Sequence, residues 1–225
     1  MDIGASAGVF INPESYRQAR EIQLRLAPKV IVSSLPTGIR FVAGVDVGFP
    51  KQGEYTRAAV VVLRYPGLEM VDQQIAIVET RFPYVPGYLS FREMPAILVA
   101  MKELQTRPDL IFCDGQGLAH PRRFGIACHL GVTLDIATIG VGKSRLLGEF
   151  EEPGNRRADY SRLMEKGQVI GRVVRTRKKV KPVFLSVGHR CDLPTAMQWL
   201  LKCTTRYKLP EPIRLADRLA SERDI

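Results

Sequence analysis

The sequence predicts a mixed α/β fold in which an antiparallel meander is followed by parallel strands, with helices flanking the sheet. Three runs rich in β-branched residues follow one another through short Pro/Gly-containing connections, a pattern typical of antiparallel neighbours. After them, helical patterns alternate with short apolar runs, which indicates parallel strands. The 225 residues, 45% of them hydrophobic, suffice for one sizeable core, and no linker or internal repeat divides them. We therefore expect residues 1–225 to form a single domain.

The first half of the chain predicts one helix and the three strands of the meander. The helix runs from Asn12 to Ala27, because Asn12 can cap it, Pro13 suits its first position and Pro28 ends it. The strands of the meander follow it. They are Phe41 to Val47, Ala58 to Arg64 and Gln74 to Glu79.

The second half of the chain predicts alternating helices and strands. A helix comes first, because apolar residues recur at i, i+3, i+4 and i+7, which is the spacing of an amphipathic helix. Its apolar residues are Met94, Ile97, Leu98 and Met101. The later elements are the strand Leu110 to Cys113, the helix Pro121 to Leu130 with Gly131 as its stop, the strand Ile136 to Val141, the strand pair Val169 to Arg177 and Val183 to Val187, and the helix Leu193 to Cys203.

The composition argues against a membrane or disulfide-bonded protein. The longest apolar stretches, such as Ala58 to Leu63, fall far short of the roughly 18 to 20 residues that a bilayer span requires. The segment Met1 to Phe10 has no basic residue before its apolar ones, unlike a secretory signal. We therefore expect a cytoplasmic protein without a membrane partner. The four cysteines form no C-x-x-C pair, and we interpret them as reduced packing residues.

An excess of basic residues suggests a polyanionic partner. The chain has 33 basic and 23 acidic residues, a formal net charge of +10 and a pI near 9.7. Between Arg156 and Lys181, ten basic residues stand against two acidic ones. Such a run is either a solvated face or a surface for nucleic acid. Within it, alternate residues would share one face of an extended strand. These are Arg175, Arg177, Lys179 and Lys181.

Polar side chains stand where three predicted strands end. Asp46 closes the first strand, Asp114 follows Cys113, and Lys143 follows the strand that ends at Val141. In open α/β sheets, functional groups gather at the carboxyl ends of strands. An aspartate directly after a buried strand is costly unless it is paired or bound to a cation. Two such aspartates at one rim of the sheet predict a divalent-metal site.

Glu93 is a third candidate carboxylate. It lies four residues before Ile97, so it shares the face of the helix that packs on the sheet. A capping box with Ser90 is the alternative. Pro95 weakens that alternative, because in a helix capped at Ser90 it could not donate to the carbonyl of the preceding turn.

Two glycine-rich segments offer contacts to phosphate. Residues 140–144 resemble the end of a P-loop, but Ala137 stands where that pattern requires glycine, so we expect Lys143 to contact a phosphate without nucleotide hydrolysis. Gly115 and Gly117 lie between Asp114 and His120, and glycines allow another backbone to come close. His120 is either a simple helix cap or a residue that binds or protonates a phosphate.

The segment Pro83-Tyr84-Val85-Pro86-Gly87 is a stiff loop with an aromatic ring between two prolines. An ordinary turn with a surface tyrosine is one interpretation. The other is a wedge that enters beside an unstacked base, as in proteins that distort duplexes.

Taken together, these segments resemble the endonuclease V family, deoxyinosine-directed repair nucleases that are similar in fold to ribonuclease H. The motifs follow in family order from about residue 41 to 220, and the second and third are long and specific. They are residues 42–48 (VAGVDVG), 83–93 (PYVPGYLSFRE), 114–125 (DGQGLAHPRRFG), 139–144 (IGVGKS), 186–189 (SVGH) and 209–217 (LPEPIRLAD).

The resemblance implies a ribonuclease H-like core and a set of site residues. Asp46 and Asp114 match magnesium ligands, Glu93 completes the acidic centre, and Asp217 matches a further position near the metal. The cofactor that this set implies is Mg²⁺, for which Mn²⁺ substitutes. His120 and Lys143 match residues near the scissile phosphate. Tyr84 matches the wedge. The matching base pocket comprises Pro83, Val85, Pro86, Gly87, Gly115 and Gly117.

The activity that this resemblance implies is cleavage of DNA containing deoxyinosine or other deaminated bases, at the second phosphodiester bond 3′ to the lesion. It implies a monomer, and RNA containing inosine is a further possible partner. A related ribonuclease H-like nuclease that recognises DNA structure, such as a resolvase, and a non-catalytic nucleic-acid-binding module are the alternatives. The role of His189 stays open.

Overall fold

A computed structural model describes residues 10–221 and shows, in that range, one eight-stranded sheet with helices on both faces. The helices are α1 (Tyr16–Leu26), α2 (Leu89–Glu103), α3 (Ile126–Leu134), α4 (Leu193–Cys203) and α5 (Glu211–Ser221), and the strands are β1 (Phe41–Gly48), β2 (Tyr55–Arg64), β3 (Glu69–Glu79), β4 (Leu110–Cys113), β5 (Ala137–Gly142), β6 (Tyr160–Glu165), β7 (Gln168–Val174) and β8 (Val183–His189). The strand order is β3-β2-β1-β4-β5-β8-β7-β6. Within residues 10–221, no helix is long and apolar enough to cross a bilayer.

The sheet mixes both pairing directions, which confirms the predicted fold class. The meander is antiparallel from β1 to β3, β1, β4 and β5 are parallel, and β8, β7 and β6 return antiparallel to their neighbours. The carboxyl ends of β1, β4 and β5 therefore meet at one rim of the sheet, which we call the upper rim. The turn between β7 and β8 lies at the same rim, because Gly142 pairs with Phe184 and Val174 pairs with Val183.

Each face of the sheet is covered by two helices. Helices α2 and α3 pack on one face with Ala43 and Val45 of β1, while α4 and α5 pack on the other with Val42. Helix α5 lies very close to β1, since a Cβ on Gly44 would stand 2.1 Å from the carbonyl carbon of Pro212. This close approach brings Asp217 of α5 to the end of β1.

The two predicted helix starts at Asn12 and Pro121 are wrong. Helix α1 begins after Ser15, whose hydroxyl accepts the amide hydrogen of Gln18 and so caps it. Helix α3 begins only at Ile126, because the backbone before it turns sharply with Arg123 at a positive φ of 52°. Gly131 does not stop this helix. It lies inside α3, where a Cβ would meet Thr138 Oγ1 at 2.4 Å.

The predicted strand Val169 to Arg177 ends early, and the basic face assigned to it is wrong. Strand β7 stops at Val174, so Arg175 and Arg177 lie in the turn that follows. The side chain of Arg175 is 5% exposed and points inward, where it forms an ion pair with Glu152. Contacts with a distant loop, rather than strand alternation, decide its direction.

Two elements were not predicted, and two strands are longer than expected. Strand β6 is half-exposed and polar, so it has no clear apolar period. Helix α5 does have an apolar stripe, with Ile213, Ala216 and Ala220 buried at helical spacing, but a proline at its start and four charged residues mask it in the sequence. Strands β2 and β3 extend upstream of the predicted runs to Tyr55 and Glu69. The first half of β3, an outer strand, mixes Glu69, Asp72 and Gln73 with Met70 and Val71, so it lacks the apolar alternation that would mark its beginning.

Candidate active site

Three aspartates meet at the upper rim. Asp46 lies near the end of β1, Asp114 follows β4, and Asp217 comes from α5. Within residues 10–221, these side chains form a group in which one carboxylate oxygen of each lies within 4.8 Å of the others. Burial and then the charge of Asp114 raise the pKa of Asp46 to about 8. Without a bound cation, Asp46 therefore keeps its proton at pH 7, and a cation at this site would favour the charged carboxylate.

Lys143 is the cation of this cluster. Its ammonium nitrogen lies 2.6 Å from Asp114 and 2.7 Å from Asp217. Partial burial alone would lower the pKa of Lys143, but its hydrogen bonds to these two carboxylates raise it above the usual value. The hydrogen bond from Lys143 in turn lowers the pKa of Asp217. Lys143 therefore stays charged at every physiological pH.

Glu93 lies behind the three aspartates, on α2. Its side chain is 8% exposed, and it is not part of the group of oxygens within 4.8 Å. Burial and then the charges of Asp46 and Asp114 raise its pKa well above the usual value. The capping-box alternative is wrong, because α2 begins at Leu89 and the Ser90 hydroxyl is hydrogen-bonded to His129 over 3.0 Å.

The donor set fits a hard divalent cation. Mg²⁺ prefers oxygen ligands and binds through a few carboxylates while keeping several waters. Asp46, Asp114 and Asp217 supply such oxygens at short mutual distance. The raised pKa of Asp46 reflects burial and charge repulsion, and a bound cation relieves the repulsion. The residues present are therefore suited to magnesium. The ammonium of Lys143 already offsets part of the negative charge that a magnesium ion would neutralise.

A pocket of about 260 Å³ adjoins the acidic cluster, and both share Asp114 and Lys143. Its volume suits one planar ring system better than a large ligand. The remaining wall comes from the loop before α2, the segment after β4 and the segment after β5. The wall includes Gln23, Tyr84, Val85, Pro86, Gly87, Gly115, Gln116, His120 and Ser144.

The carbonyl of Gly87 fixes one side of this pocket. It accepts hydrogen bonds from Gln23 Nε2 at 3.0 Å, from His120 Nε2 at 2.9 Å and from the guanidinium of Arg122. Gly87 has a positive φ of 82°, and a Cβ there would stand 3.0 Å from Arg122. Glycine suits this backbone conformation, and a Cβ at this position would in addition displace the guanidinium of Arg122 slightly.

The amide groups of Gly87 and Gly115 are available to a ligand. Neither N–H has a hydrogen-bond acceptor among residues 10–221, although both glycines line the pocket. At Gly115, a Cβ would meet Ile126 at 2.7 Å. Backbone donors at fixed positions can read the acceptor atoms of a base without any specialised side chain.

His120 holds the pocket wall in place. Its Nδ1 accepts the amide hydrogen of Arg122, so its Nε2 carries the hydrogen that is donated to Gly87. Burial and then the charge of Arg122 lower the pKa of His120 to about 4, and the ring is neutral at pH 7. It is not a helix cap, because α3 begins five residues further on, at Gly125 and Ile126. In this structure both ring nitrogens are engaged within the protein.

Two residues predicted for the pocket, Gly117 and Pro83, do not line it, whereas a third, Tyr84, does. Gly117 packs against β8 instead, where a Cβ would stand 1.9 Å from the carbonyl oxygen of Val187. Pro83 is exposed outside the wall. Tyr84 lines the pocket with 68% of its surface exposed, as expected of a ring that contacts a partner rather than the core.

Sequence reasoning missed Gln23, Gln116 and Arg122. Gln23 is buried beside Ala19 and Ile22 on α1, so a polar residue on an apolar helix stripe was the available signal. Gln116 Nε2 donates to the carbonyl of Ser144 over 3.1 Å and so joins the segments after β4 and β5. For Arg122, only its place in the motif around His120 pointed to the site.

The contacts of His189 indicate a structural role rather than a catalytic one. Its Nδ1 accepts the amide hydrogen of Ile31 at 3.2 Å, and its Nε2 lies 3.3 Å from Asp135. Ser186 of the same motif accepts the amide hydrogen of Gly117 at 2.8 Å. The segment 186–189 therefore supports the residues around the pocket from below.

The chain resembles known proteins in both sequence and structure. Residues 24–218 match the family described as Endonuclease V. Endonuclease V of Rippkaea orientalis is 50% identical over 214 residues, which are 95% of this chain and 93% of the relative. The crystal structure of Endonuclease V from Streptomyces avermitilis has 44% identity and a TM-score of 0.89, over 93% of this chain and 92% of that chain. Endonuclease V of Ciona intestinalis, in complex with a 24mer DNA containing an inosine followed by a ribo-adenosine, has 31% identity and a TM-score of 0.80, over 92% and 97% of the two chains.

Proposed function

The chain belongs to the endonuclease V family, and from this premise we propose that it is a metal-dependent DNA repair endonuclease acting on strands that contain a deaminated base, deoxyinosine above all. The observation that carries the proposal is the shared wall between acidic cluster and pocket. Asp114 and Lys143 belong to both, so a base held in the pocket places its own strand beside the carboxylates. We propose that the whole chain acts as one domain and as a monomer.

The proposed cut is at the second phosphodiester bond 3′ to the lesion, with 3′-hydroxyl and 5′-phosphate ends. This position follows from the family resemblance. It agrees with the geometry in one respect: the base pocket and the acidic cluster are adjacent but separate, so the bond that is cut need not be the one next to the flipped base.

Asp46, Asp114 and Asp217 are the residues that would hold Mg²⁺, for which Mn²⁺ can substitute. When bound, the metal supplies activation of the attacking water and neutralisation of the charge that develops on the phosphate. Glu93 joins the acidic centre in this proposal, because the charges of Asp46 and Asp114 reach it. The protein's part is to hold these groups in fixed positions at the ends of rigid strands.

Lys143 and His120 have different tasks in this proposal. The ammonium of Lys143 is positioned to offset charge on the scissile phosphate. His120 is neutral at pH 7 and orients Gly87, so we assign it first to the pocket, and contact with phosphate requires one of its hydrogen bonds to open.

Base recognition is assigned to the backbone. In this proposal the N–H groups of Gly87 and Gly115, two residues that line the pocket, donate to acceptor atoms of hypoxanthine, and Tyr84 fills the gap that the extruded base leaves in the stack. Extruding a mispaired or damaged base costs less than extruding a normal one, which adds selectivity.

The decisive experiment uses an end-labelled duplex with a single deoxyinosine, incubated with and without Mg²⁺, and maps the nick. The expected result is a metal-dependent cut at the second phosphodiester bond 3′ to the lesion. The same duplex with deoxyguanosine is the control. Cleavage of branched DNA without an inosine would favour a structure-specific nuclease, and binding without any cut would favour a non-catalytic module.

RNA is a second candidate substrate for the same site. The Ciona intestinalis relative is described with an inosine followed by a ribo-adenosine. A substrate series with deoxyadenosine, ribo-adenosine or only ribonucleotides around the inosine therefore measures the preference directly. We propose DNA as the main substrate, and faster cutting of the all-RNA strand would overturn that preference.

A further inference from the structure

The turn between β7 and β8, residues 175–182, stands close to the acidic cluster but is not part of it. The pairings of Val174 with Val183 and of Phe184 with Gly142 place it at the upper rim, two strands away from Lys143. At a strand spacing of about 4.8 Å, this separation is about 10 Å. The turn therefore lies within one short step of the carboxylates along the rim.

Two buried side chains hold this turn in one position. Arg175 forms an ion pair with Glu152 at 2.7 Å and donates to the carbonyls of Gly154 and Val180. Thr176, which is 1% exposed, donates its hydroxyl hydrogen to the carbonyl of Lys208 at 2.7 Å. The turn is thereby attached both to the segment before β6 and to the connection between α4 and α5.

Apart from these two residues, the turn is mainly basic. Four basic residues there are exposed, and within residues 10–221 no carboxylate forms an ion pair with any of them. We call this group the basic turn. Its members are Arg177, Lys178, Lys179 and Lys181. Four like charges in five residues repel one another, and a polyanion removes that repulsion.

Lys208 links the basic turn to the acidic cluster. It is half-buried, and burial followed by the charges of Lys181 and Lys143 lowers its pKa. Its carbonyl accepts the hydrogen bond from Thr176 of the turn, and the charges of Lys181 and Lys143 both reach its ammonium group, so Lys208 lies near the turn and near the cluster. From Lys143, positively charged side chains thus continue along the rim through Lys208 to the basic turn. Within residues 10–221, neither Lys208 nor the basic turn forms an ion pair with a carboxylate.

This path leads away from the base pocket. The pocket is built from segments next to α2 and α3, on one face of the sheet, whereas Lys208 belongs to the connection between α4 and α5, on the other face. Asp114 and Lys143 line the pocket, and their charges also reach Lys208, so these two residues of the cluster connect the pocket with Lys208. A strand that runs from the pocket across the cluster therefore reaches the basic turn next.

We infer that the basic turn and Lys208 bind the sugar–phosphate backbone of the DNA duplex on the 3′ side of the scissile bond. The inference rests on the proposed function, because the direction follows from a cut 3′ to the base in the pocket. A distance of about 10 Å corresponds to about three base steps of duplex. The contacts would carry no sequence information and would position the duplex.

The test compares two variants with the same change in charge. In the first, the four residues of the basic turn are replaced by Gln. In the control, four exposed cations at the opposite rim are replaced by Gln, namely Arg40, Arg64, Lys102 and Arg107. Affinity for the inosine duplex is measured without metal at several salt concentrations, and the temperature of unfolding shows that both variants fold.

The turn variant is expected to flatten the slope of log affinity against log salt by roughly 0.9 for each phosphate that the protein no longer neutralises, up to about 3.6 in all. The control variant is expected to keep a slope close to that of the native chain. Equal slopes for the two variants would overturn the inference and return the basic turn to a solvated surface.

The length of the DNA flanks tests the direction. Duplexes are prepared whose 3′ flank ends about one base pair or about ten base pairs beyond the scissile bond, with the 5′ flank unchanged. The native chain should gain affinity from the longer 3′ flank, and the turn variant should lose most of that gain. A gain that depends on the 5′ flank instead would overturn the stated direction. If the native chain does not cut the inosine duplex with Mg²⁺ but the salt slopes still differ, the proposed function fails and the basic turn remains a DNA-binding surface.

Discussion

The ammonium nitrogen of Lys143 lies 2.6 Å from a carboxylate oxygen of Asp114, at the point where the base pocket meets the acidic cluster. The same nitrogen is 2.7 Å from Asp217. Lys143 therefore forms ion pairs with two of the three aspartates that are suited to hold a divalent cation, and its single charge offsets one of their two. Lysine and metal act on the same carboxylates, and each weakens the electrostatic attraction available to the other.

This competition predicts opposite effects of Lys143→Met on binding and catalysis. Removing the ammonium should tighten Mn²⁺ binding by about tenfold, because one repelling charge leaves the ligand set. Nicking should nevertheless fall, since no side chain then offsets charge on the phosphate. Free Mn²⁺ measured by electron paramagnetic resonance reports the affinity. Lys143→Arg keeps the charge and is the control, and weaker Mn²⁺ binding by the Met variant would contradict the argument.

A second prediction concerns Asp114→Asn. The change should abolish nicking while leaving DNA affinity equal or higher, because it weakens the metal site and removes a charge that repels phosphate. Nicking rate and gel-shift affinity are compared on one inosine duplex. Glu151→Gln, at an exposed carboxylate, serves as the control. Normal nicking by the Asn variant at ordinary Mg²⁺ would show that Asp114 is not a ligand.

The third prediction is a pH dependence of stability that His120 helps to cause. Burial and the charge of Arg122 lower its pKa from 6.5 to about 4, so between these values the unfolded chain binds a proton that the folded chain does not. The free energy of unfolding therefore falls as pH drops from about 6.5 to about 4. His129, with its pKa lowered by burial to about 3, acts in the same direction.

His120→Gln separates the two contributions. Glutamine can still donate to the carbonyl of Gly87 but does not titrate, so the variant should lose less stability than the native chain between pH 7 and pH 5. Urea unfolding at both pH values measures the difference. Parallel losses in the two proteins would mean that His120 has the same pKa in the folded and the unfolded chain, and a smaller loss in the native chain would mean that its pKa is raised in the folded state.

The site residues at strand ends could be predicted because parallel strands impose one geometry. Once Asp46 and Asp114 follow neighbouring buried strands, the pairing of β1 with β4 brings them to the same rim. Asp217 is different. Its place depends on the close packing of the apolar stripe of α5 against Gly44, a contact between residues far apart in the chain that the amphipathic pattern of the helix does not specify.

The basic run shows what local patterns cannot decide. Alternation predicted Arg175 and Arg177 on one exposed strand face, yet Arg175 is buried by Glu152 and by carbonyl groups of the distant loop. The same limit applies to Gln23, which contacts Gly87 across 64 residues of sequence. Long-range polar contacts of this kind leave no period in the sequence.

Gly87→Ala provides a prediction with a matched control. Both Gly87 and Gly167 have a positive φ, of 82° and 76°, so alanine costs about 1 kcal/mol of backbone strain at either position. At Gly167 nothing lies within 4 Å of the added Cβ, whereas at Gly87 the guanidinium of Arg122 is 3.0 Å away. The two variants should lose similar stability, but only Gly87→Ala should lose preference for inosine over guanosine. If both variants kept the same preference for inosine over guanosine, Gly87 would have no role in base recognition.

The last prediction is that Tyr84→Ala weakens lesion binding more than the chemical step. Tyr84 is 68% exposed at the pocket mouth, so its ring is free to stack on DNA, while the carboxylates are built on other elements. Losing the ring should remove stacking worth roughly 1 to 3 kcal/mol, or on the order of 5- to 150-fold in affinity.

Single-stranded DNA distinguishes a wedge from an ordinary contact. An inosine in a single strand needs less unstacking, so Tyr84→Ala should harm binding to it less than binding to the duplex. Tyr84→Phe keeps the ring and should behave like the native chain on both substrates. Because we assign the base contacts to Gly87 and Gly115, Tyr84→Ala should still prefer inosine once bound. Equal losses on duplex and single strand would leave Tyr84 as a stacking platform without a wedge role, and no loss on either would make it a surface residue.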